Sequence, residues 1–184
     1  GSQMVIMAGG LGKRLNPITL KLPKPLVEVK GISLIDHVID HAKAFGVSEF
    51  IVIVNYLGEM IERHLQNRKD VELKVIFEDQ FLGTAGGLSL IPQTYLQDNF
   101  IFKNSDVIEN FQYDELVSFH GNVSSEFTIV LKEHKIINPF GSVVLNGIDV
   151  SSYQEKPIYN SLISTGVYVL NKNVVKMIPH DRNL

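Results

Sequence analysis

Phe50-Ile51-Val52-Ile53-Val54 is an unbroken apolar run, mostly β-branched, that stops at Asn55-Tyr56-Leu57-Gly58. A strand with one wet face alternates apolar and polar residues. A continuous run suits a parallel strand covered on both faces, and parallel strands need crossover helices to join them. Such helices are readable on either side. From Ser33 to Phe45, the residues Leu34, Ile35, Val38, Ile39, Ala42 and Phe45 fall on one face at about 100° per residue. Ser33 suits an N-cap and Gly46 the position just past the helix end. His37 and His41 lie four apart on the polar edge of that helix beside Asp36 and Asp40. Without an HExxH pattern they read as a solvated face rather than a ligand pair.

A second helix follows through Glu59–Leu65, then strands at Leu73–Phe77 and Phe100–Phe102 with a helix around Gly86–Leu90 between them. This alternation through about residue 120 predicts a mainly parallel, Rossmann-like α/β sheet covered by helices. From Phe127 the rhythm changes. Thr128–Leu131, Ser142–Leu145, Val150–Tyr153 and Gly166–Leu170 read as strands with little helix between them, a more antiparallel half. No repeat, low-complexity tract or linker interrupts the chain. We therefore expect one domain over 4–184, with halves at 4–120 and 121–184.

The chemistry is concentrated near the start. Met4-Val5-Ile6-Met7 reads as a buried strand, and it runs into Ala8-Gly9-Gly10-Leu11-Gly12-Lys13-Arg14-Leu15. Glycines let the backbone turn sharply and bring bare N–H groups against a large anion. Two cations follow, and Leu22-Pro23-Lys24-Pro25-Leu26 adds a third between two prolines. Proline fixes its own φ and pushes the residue before it towards an extended conformation, so Lys24 should sit on a stiff arm. The stretch reads as a triphosphate cradle with Arg14 and Lys24 as its charged jaws. It is neither a Walker A loop nor the dinucleotide fingerprint, whose third glycine is missing.

From Gly9 to Leu26 the chain closely resembles the sugar-1-phosphate nucleotidyltransferases, whose signature is GGxGxRLxPxT followed by PKPL. The resemblance implies attack by a sugar 1-phosphate on the α-phosphorus of a nucleoside triphosphate, with pyrophosphate leaving. It also implies Mg²⁺ on Asp106, in the Asn104-Ser105-Asp106-Val107 segment after the Phe100–Phe102 strand. On position alone Asp106 could equally cap a turn. Glu78 to Gly87 resembles the family's base-reading loop, which makes Glu78, Gly83 and Thr84 nucleotide-binding candidates alongside Ala8, Gly9, Gly10, Leu11, Gly12, Lys13 and Arg14. The run Glu78-x-x-x-Leu82-Gly83-Thr84-Ala85-Gly86 is similar to that of mannose-1-phosphate guanylyltransferases. A carboxylate can accept from both donors of guanine's Watson–Crick edge, so GTP is favoured, with UTP, dTTP and CTP open. In the second half Pro139-Phe140-Gly141, Gln154-Glu155-Lys156-Pro157 and Ser164-Thr165-Gly166 resemble the sugar-phosphate segments. Gly141, Glu155, Lys156 and Thr165 are the candidates there.

A phosphate monoester has a second pKa of about 6, so the nucleophile is mostly dianionic at neutral pH and no general base is required. The work falls on charge neutralisation and alignment, with Arg14, Lys24 and Asp106 as the catalytic set. A dinucleotide oxidoreductase is disfavoured because Asn55-Tyr56 stands where an acidic residue should close the second strand. A non-catalytic domain that binds a nucleotide sugar remains open.

Composition narrows the partners. The net charge is -3, so nothing in bulk draws nucleic acid or an anionic membrane. The absence of cysteine excludes a disulfide framework, a thiolate metal site and a cysteine nucleophile. No apolar run approaches the roughly 20 residues that span a bilayer, and no signal peptide precedes the first strand, which makes the cytoplasm the expected compartment. Residues 1–3 read as a cloning remnant or linker. The family usually continues past Leu184 and takes a second metal-binding aspartate from there, so we expect a catalytic domain cut from a longer chain. The resemblance leaves room for a fused regulatory module of CBS type and for an oligomer.

Overall fold

The computed structural model describes residues 1–10, 21–80, 82–106 and 110–179. In order, the strands and helices are β1 (Ser2–Met7), β2 (Glu28–Val29), β3 (Ile32–Ser33), α1 (Leu34–Ala44), β4 (Val47–Val54), α2 (Gly58–Leu65) and β5 (Glu72–Phe77). They continue with α3 (Gly83–Gly86), β6 (Asn99–Asn104), α4 (Tyr113–Asn122), β7 (Phe127–Ile137), β8 (Ser142–Asn146), β9 (Asp149–Gln154), β10 (Ile158–Asn171) and α5 (Lys172–Val175). Short 3₁₀ turns lie at Lys24–Leu26, Gly87–Leu90 and Gln93–Tyr95.

The main sheet has the order β5-β4-β1-β6-β10-β7. β1 pairs in parallel with β4 and β6, and β4 in parallel with β5, while β10 runs antiparallel to β6. The α/β, mainly parallel architecture is thus as the apolar runs predict. The runs are unbroken because both faces of the central strands are covered. Val5 and Met7 point into a cluster with Ile51, Ile53, Leu88, Ile91, Phe100, Phe102 and Leu170. Their neighbours Met4 and Ile6 point the other way by strand alternation and are equally buried, as are Ile35, Val38, Ile39 and Ala42 of α1. Each of these side chains except that of Ala42 contributes about 1.5–3 kcal/mol by leaving water. α1 begins and ends where its sequence says. Ser33 Oγ accepts from the Asp36 N–H, and Gly46 takes φ +86 just beyond the last turn.

Three details differ from the sequence reading. β1 begins at Ser2 rather than Met4, and Gln3 is 1% exposed. Gln3 Nε2 donates to the Tyr95 carbonyl at 2.7 Å and its Oε1 accepts from Gln97 N at 2.9 Å. Residues 2 and 3 are therefore strand rather than linker. His37 and His41 are not a merely solvated face, because His37 ties β2 to α1 and His41 ties the segment before α4 to it. His37 Nε2 lies 2.8 Å from the Val29 carbonyl, and His41 Nε2 accepts from the Phe111 N–H at 3.0 Å. The chain also divides into compact units at other places than residue 120. One unit comprises 1–129 and 166–184, the other 130–165. The second contains the β8–β9 hairpin, closed by Gly147 at φ +65, the left-handed region that suits a two-residue hairpin loop. The last strand is divided, with 158–165 in the second unit and 166–171 in the first, where from Val167 on it pairs with β6.

Candidate functional site

The register of the parallel strands lines up their carboxyl ends. Met7 at the end of β1 is level with Ile53 in β4 and with Asn104 at the end of β6, and Val54 with Phe77 at the end of β5. The ladder then runs one step further. Ala8 N–H donates to the Ile53 carbonyl at 2.8 Å, Ser105 N–H to Met7 at 3.0 Å, and Glu78 N–H to Val54 at 2.8 Å. Four strand ends thus deliver Glu78, Asn55, Ala8-Gly9-Gly10 and Asn104-Ser105-Asp106 to one edge, the place where open α/β sheets bind ligands.

A cleft of about 240 Å³ opens there, walled by Gly9, Gly10, Lys24, Thr84, Asn104 and Asp106 among others. Gly9 is glycine because of crowding. A Cβ would stand 3.1 Å from Asn55 Cβ and 3.3 Å from Glu78 Oε2. At Gly10 no described residue comes within 4 Å of where its Cβ would be. Its bare backbone is presented to the cleft. Leu11, Gly12, Lys13 and Arg14, and with them the arginine half of the predicted jaws, lie outside the described residues.

Lys24 reaches the cleft as expected, by a different geometry. Pro23 is extended, with ψ 142°, but Lys24–Leu26 form a 3₁₀ turn in which Leu26 and Val27 N–H groups bond back to the Pro23 and Lys24 carbonyls. Pro25 is buried and has no N–H to lose, so it tolerates the turn. The arm is stiff because it is a proline-locked turn, not because it is extended. Its ammonium lies 2.9 Å from Asp106 Oδ2. Residues 82 positions apart are joined here, and the candidate cation and candidate metal carboxylate neutralise one another. Asp106 is 42% exposed. An exposed hard oxygen donor at a strand end, beside room for phosphate oxygens, fits a magnesium ion that keeps most of its water. Among the described residues no cluster of three or more His, Asp or Glu side chains could hold a metal by protein alone.

Glu78 is not the open loop carboxylate that the sequence suggests. It is 3% exposed, its Oε1 accepts from Leu82 N at 2.8 Å, and its Oε2 has no partner among the described residues. Burial pushes its pKa up, against the pull of the Leu82 N–H. The uncommitted oxygen is itself buried and lies against Gly9, where a Cβ would press on it. Gly83 takes φ +80, and Thr84 lines the cleft. The helix that should add donors is a single turn, α3, running on into 3₁₀ geometry. Its aligned dipoles are too few for a strong anion site.

The sugar-phosphate candidates Gly141, Glu155, Lys156 and Thr165 fall in the second unit. Gly141 is required there, since a Cβ would collide with the Tyr153 ring and hydroxyl. Tyr153 Oη donates to Glu155 Oε2, and the Pro157 carbonyl accepts from Asn138 N at 3.0 Å. Gly141 and Glu155 are therefore brought together through Tyr153. Next to them, Lys156 adopts φ +44, a strained position for a residue with a side chain. Thr165 Oγ1 donates to the Val130 carbonyl at 2.9 Å. Sequence reasoning missed Asn55, Asn104 and Tyr153 as site residues. Asn104 had a signal, the N-S-D run itself. It is also packed by Gly166, whose φ is +78 and where a Cβ would come within 3.0 Å of Asn104 Nδ2.

Comparison with known proteins finds similar chains over nearly the whole described length. The Nucleotidyl transferase family model matches residues 3–183. A mannose-1-phosphate guanyltransferase of Yarrowia lipolytica is 36% identical over 183 residues, covering 95% of this chain and 50% of that protein. A mannose-1-phosphate guanylyltransferase catalytic subunit beta of Danio rerio is 33% identical, covering 95% and 51%. The chain thus spans about half the length of the curated relatives it matches. The crystal structure of HddC from Yersinia pseudotuberculosis superposes with a TM-score of 0.74 at 26% identity, over 99% of this chain and 82% of that one.

Proposed function

The chain belongs to the nucleotidyl transferase family, and from that premise we propose that it joins a nucleoside triphosphate to a hexose or hexosamine 1-phosphate. GTP is the favoured triphosphate and mannose 1-phosphate the favoured sugar class, in line with the relatives' names. In the reaction a sugar-phosphate oxygen bonds to the α-phosphorus, the bond from that phosphorus to the β-phosphate oxygen breaks, and pyrophosphate leaves with the electron pair. The observation that carries the reading is the convergence of Gly9–Gly10, Lys24 and Asp106 on one cleft at the carboxyl edge of the sheet.

Each group has a task there. The Gly10 backbone lets phosphate approach without a side chain in the way. Lys24 offers a compact positive charge to the region between two anions that repel each other. Arg14 follows the glycine loop in sequence and stabilises the outer phosphates. Asp106 holds Mg²⁺, which supplies charge neutralisation on the triphosphate when bound. Glu78 gives guanine its acceptor through Oε2, the oxygen that no described residue engages. Gly141, Glu155, Lys156 and Thr165 hold the sugar phosphate.

Pyrophosphate release against a panel of triphosphates and hexose 1-phosphates, with and without Mg²⁺, tests the reading. We expect metal-dependent release, highest with GTP. Binding of a nucleotide sugar without release from any pair would favour the non-catalytic domain instead. Lys24→Ala and Arg14→Ala should each lower turnover by about 10²–10³-fold, as loss of one transition-state charge partner does. Near-normal rates in both would refute the assignment.

A further inference from the structure

Lys24 stands where two jobs of the proposed site collide. Its ammonium is 2.9 Å from Asp106 Oδ2, so the carboxylate offered to a divalent cation is already neutralised by the protein. The lysine cannot withdraw by moving its backbone. Pro23 and buried Pro25 fix the chain on both sides, and the 3₁₀ turn is closed by two hydrogen bonds. Only the four-carbon side chain can swing. The pair is partly exposed, at 27% and 42%, and exposed pairs are weakly held. A triphosphate, with several negative charges on the same cleft wall, can therefore draw the ammonium away. A free metal dication cannot. It meets a like charge next to Asp106, the one acidic side chain among the described residues that line the cleft.

We propose that Lys24 is an internal counter-ion that closes the Asp106 carboxylate to free divalent cations and opens it when nucleotide phosphates arrive. Metal then enters with the nucleotide, as one ligand, and not before it. Lys24 acts twice, first as a placeholder on Asp106 and then on phosphate. This rests on the proposed function only in taking Asp106 as the metal-binding carboxylate.

The test is a Mn²⁺ titration without nucleotide, read by the electron paramagnetic resonance signal of free Mn²⁺. It compares the wild-type chain with Lys24→Met, Lys24→Arg and Asp106→Asn, each first checked for an unchanged thermal midpoint. Wild type and Lys24→Arg should bind Mn²⁺ weakly, Lys24→Met at least tenfold more tightly, and Asp106→Asn not measurably. Adding GTP to wild type should bring Mn²⁺ binding to or above the Lys24→Met level. Equal affinity in wild type and Lys24→Met would overturn the gate. So would tight binding to Lys24→Arg, which keeps the charge. The pyrophosphate assay on the wild-type chain separates the two failures. Release with GTP but no Lys24→Met effect removes this inference alone, whereas no release from any substrate pair removes the proposed function.

Discussion

Two residues at the cleft are fixed by what they touch rather than by what they are. Gly9 has Asn55 Cβ and Glu78 Oε2 at 3.1 and 3.3 Å from its missing Cβ, so Gly9→Ala forces the strand end or the carboxylate to shift. Overpacking of this kind costs about 1–3 kcal/mol. We expect a lower thermal midpoint together with a fall in GTP affinity, since the shift displaces the glycine backbone that lines the cleft. Glu78 supplies a second prediction. Its folded pKa is raised by burial, so its contribution to stability is greatest while it is protonated and is lost as pH rises through the folded value. Glu78→Gln removes that ionisation. The variant should be at least as heat-stable as wild type at pH 8, and its advantage should shrink towards the ordinary glutamate range. It also loses one acceptor and gains a donor facing guanine's two donors. Discrimination for GTP over ATP should fall by about 10–100-fold, the scale of a mispaired buried polar group. Unchanged discrimination would remove Glu78 as the base reader.

At the scale of elements, local signals were legible and distant ones were not. α1 could be read to its ends because Ser33 and Gly46 are caps and the apolar spacing is helical, all within one stretch. The strand ends that carry the cleft were equally legible, since Met4–Met7 and Phe50–Val54 are continuous and followed by turn residues. The proline turn at Lys24 was misjudged because its two hydrogen bonds outweigh the preference that a following proline imposes. Glu78 was misjudged because burial depends on Gly9, 69 positions earlier in the numbering. Nothing local announces the ion network beside α1. Asp36 receives Arg68 at 3.0 Å and His64 at 2.6 Å, and Arg68 also reaches Asp40 and Asp70. Asp36 and Arg68 are 17% and 14% exposed, so the pair is poorly screened by solvent. Burial alone would raise the Asp36 pKa, yet the bonds from His64, Ser33 and Arg68 prevail and hold it below its ordinary value. Its stabilisation is therefore present at neutral pH and is lost as pH falls through the depressed value, below about 4. Asp36→Asn should cost about 1–3 kcal/mol at pH 7, or roughly 2–12 °C in thermal midpoint for a chain of this size. The gap to wild type should narrow on acidification. A constant gap from pH 7 to pH 3 would show that the charge is not what matters.

For the whole molecule, the two compact units differ in how they are held. The sheet of the first unit buries Met4, Ile6, Phe50, Ile51 and Val52 almost completely. Between Val130 and Thr165 the only buried residue is Pro157. The β8–β9 register puts Val143 opposite Tyr153 and, beyond a register shift after Val144, Leu145 opposite Val150, all four 50–61% exposed. A hairpin without a core to pack on is marginal in water, so its backbone hydrogen bonds open by local fluctuations rather than by global unfolding. Amides of β8 and β9 should therefore exchange with deuterium orders of magnitude faster than those of β1 and β4 under native conditions. Mild denaturant should leave the hairpin rates unchanged while accelerating the central strands, because only the latter report unfolding that exposes large apolar area. Mass spectrometry of peptides spanning 142–154 and 47–54 makes the comparison directly. Equal protection of the two would mean that the apolar hairpin face is covered in solution. It would then have to be counted in the stability of the whole chain rather than as a locally opening segment.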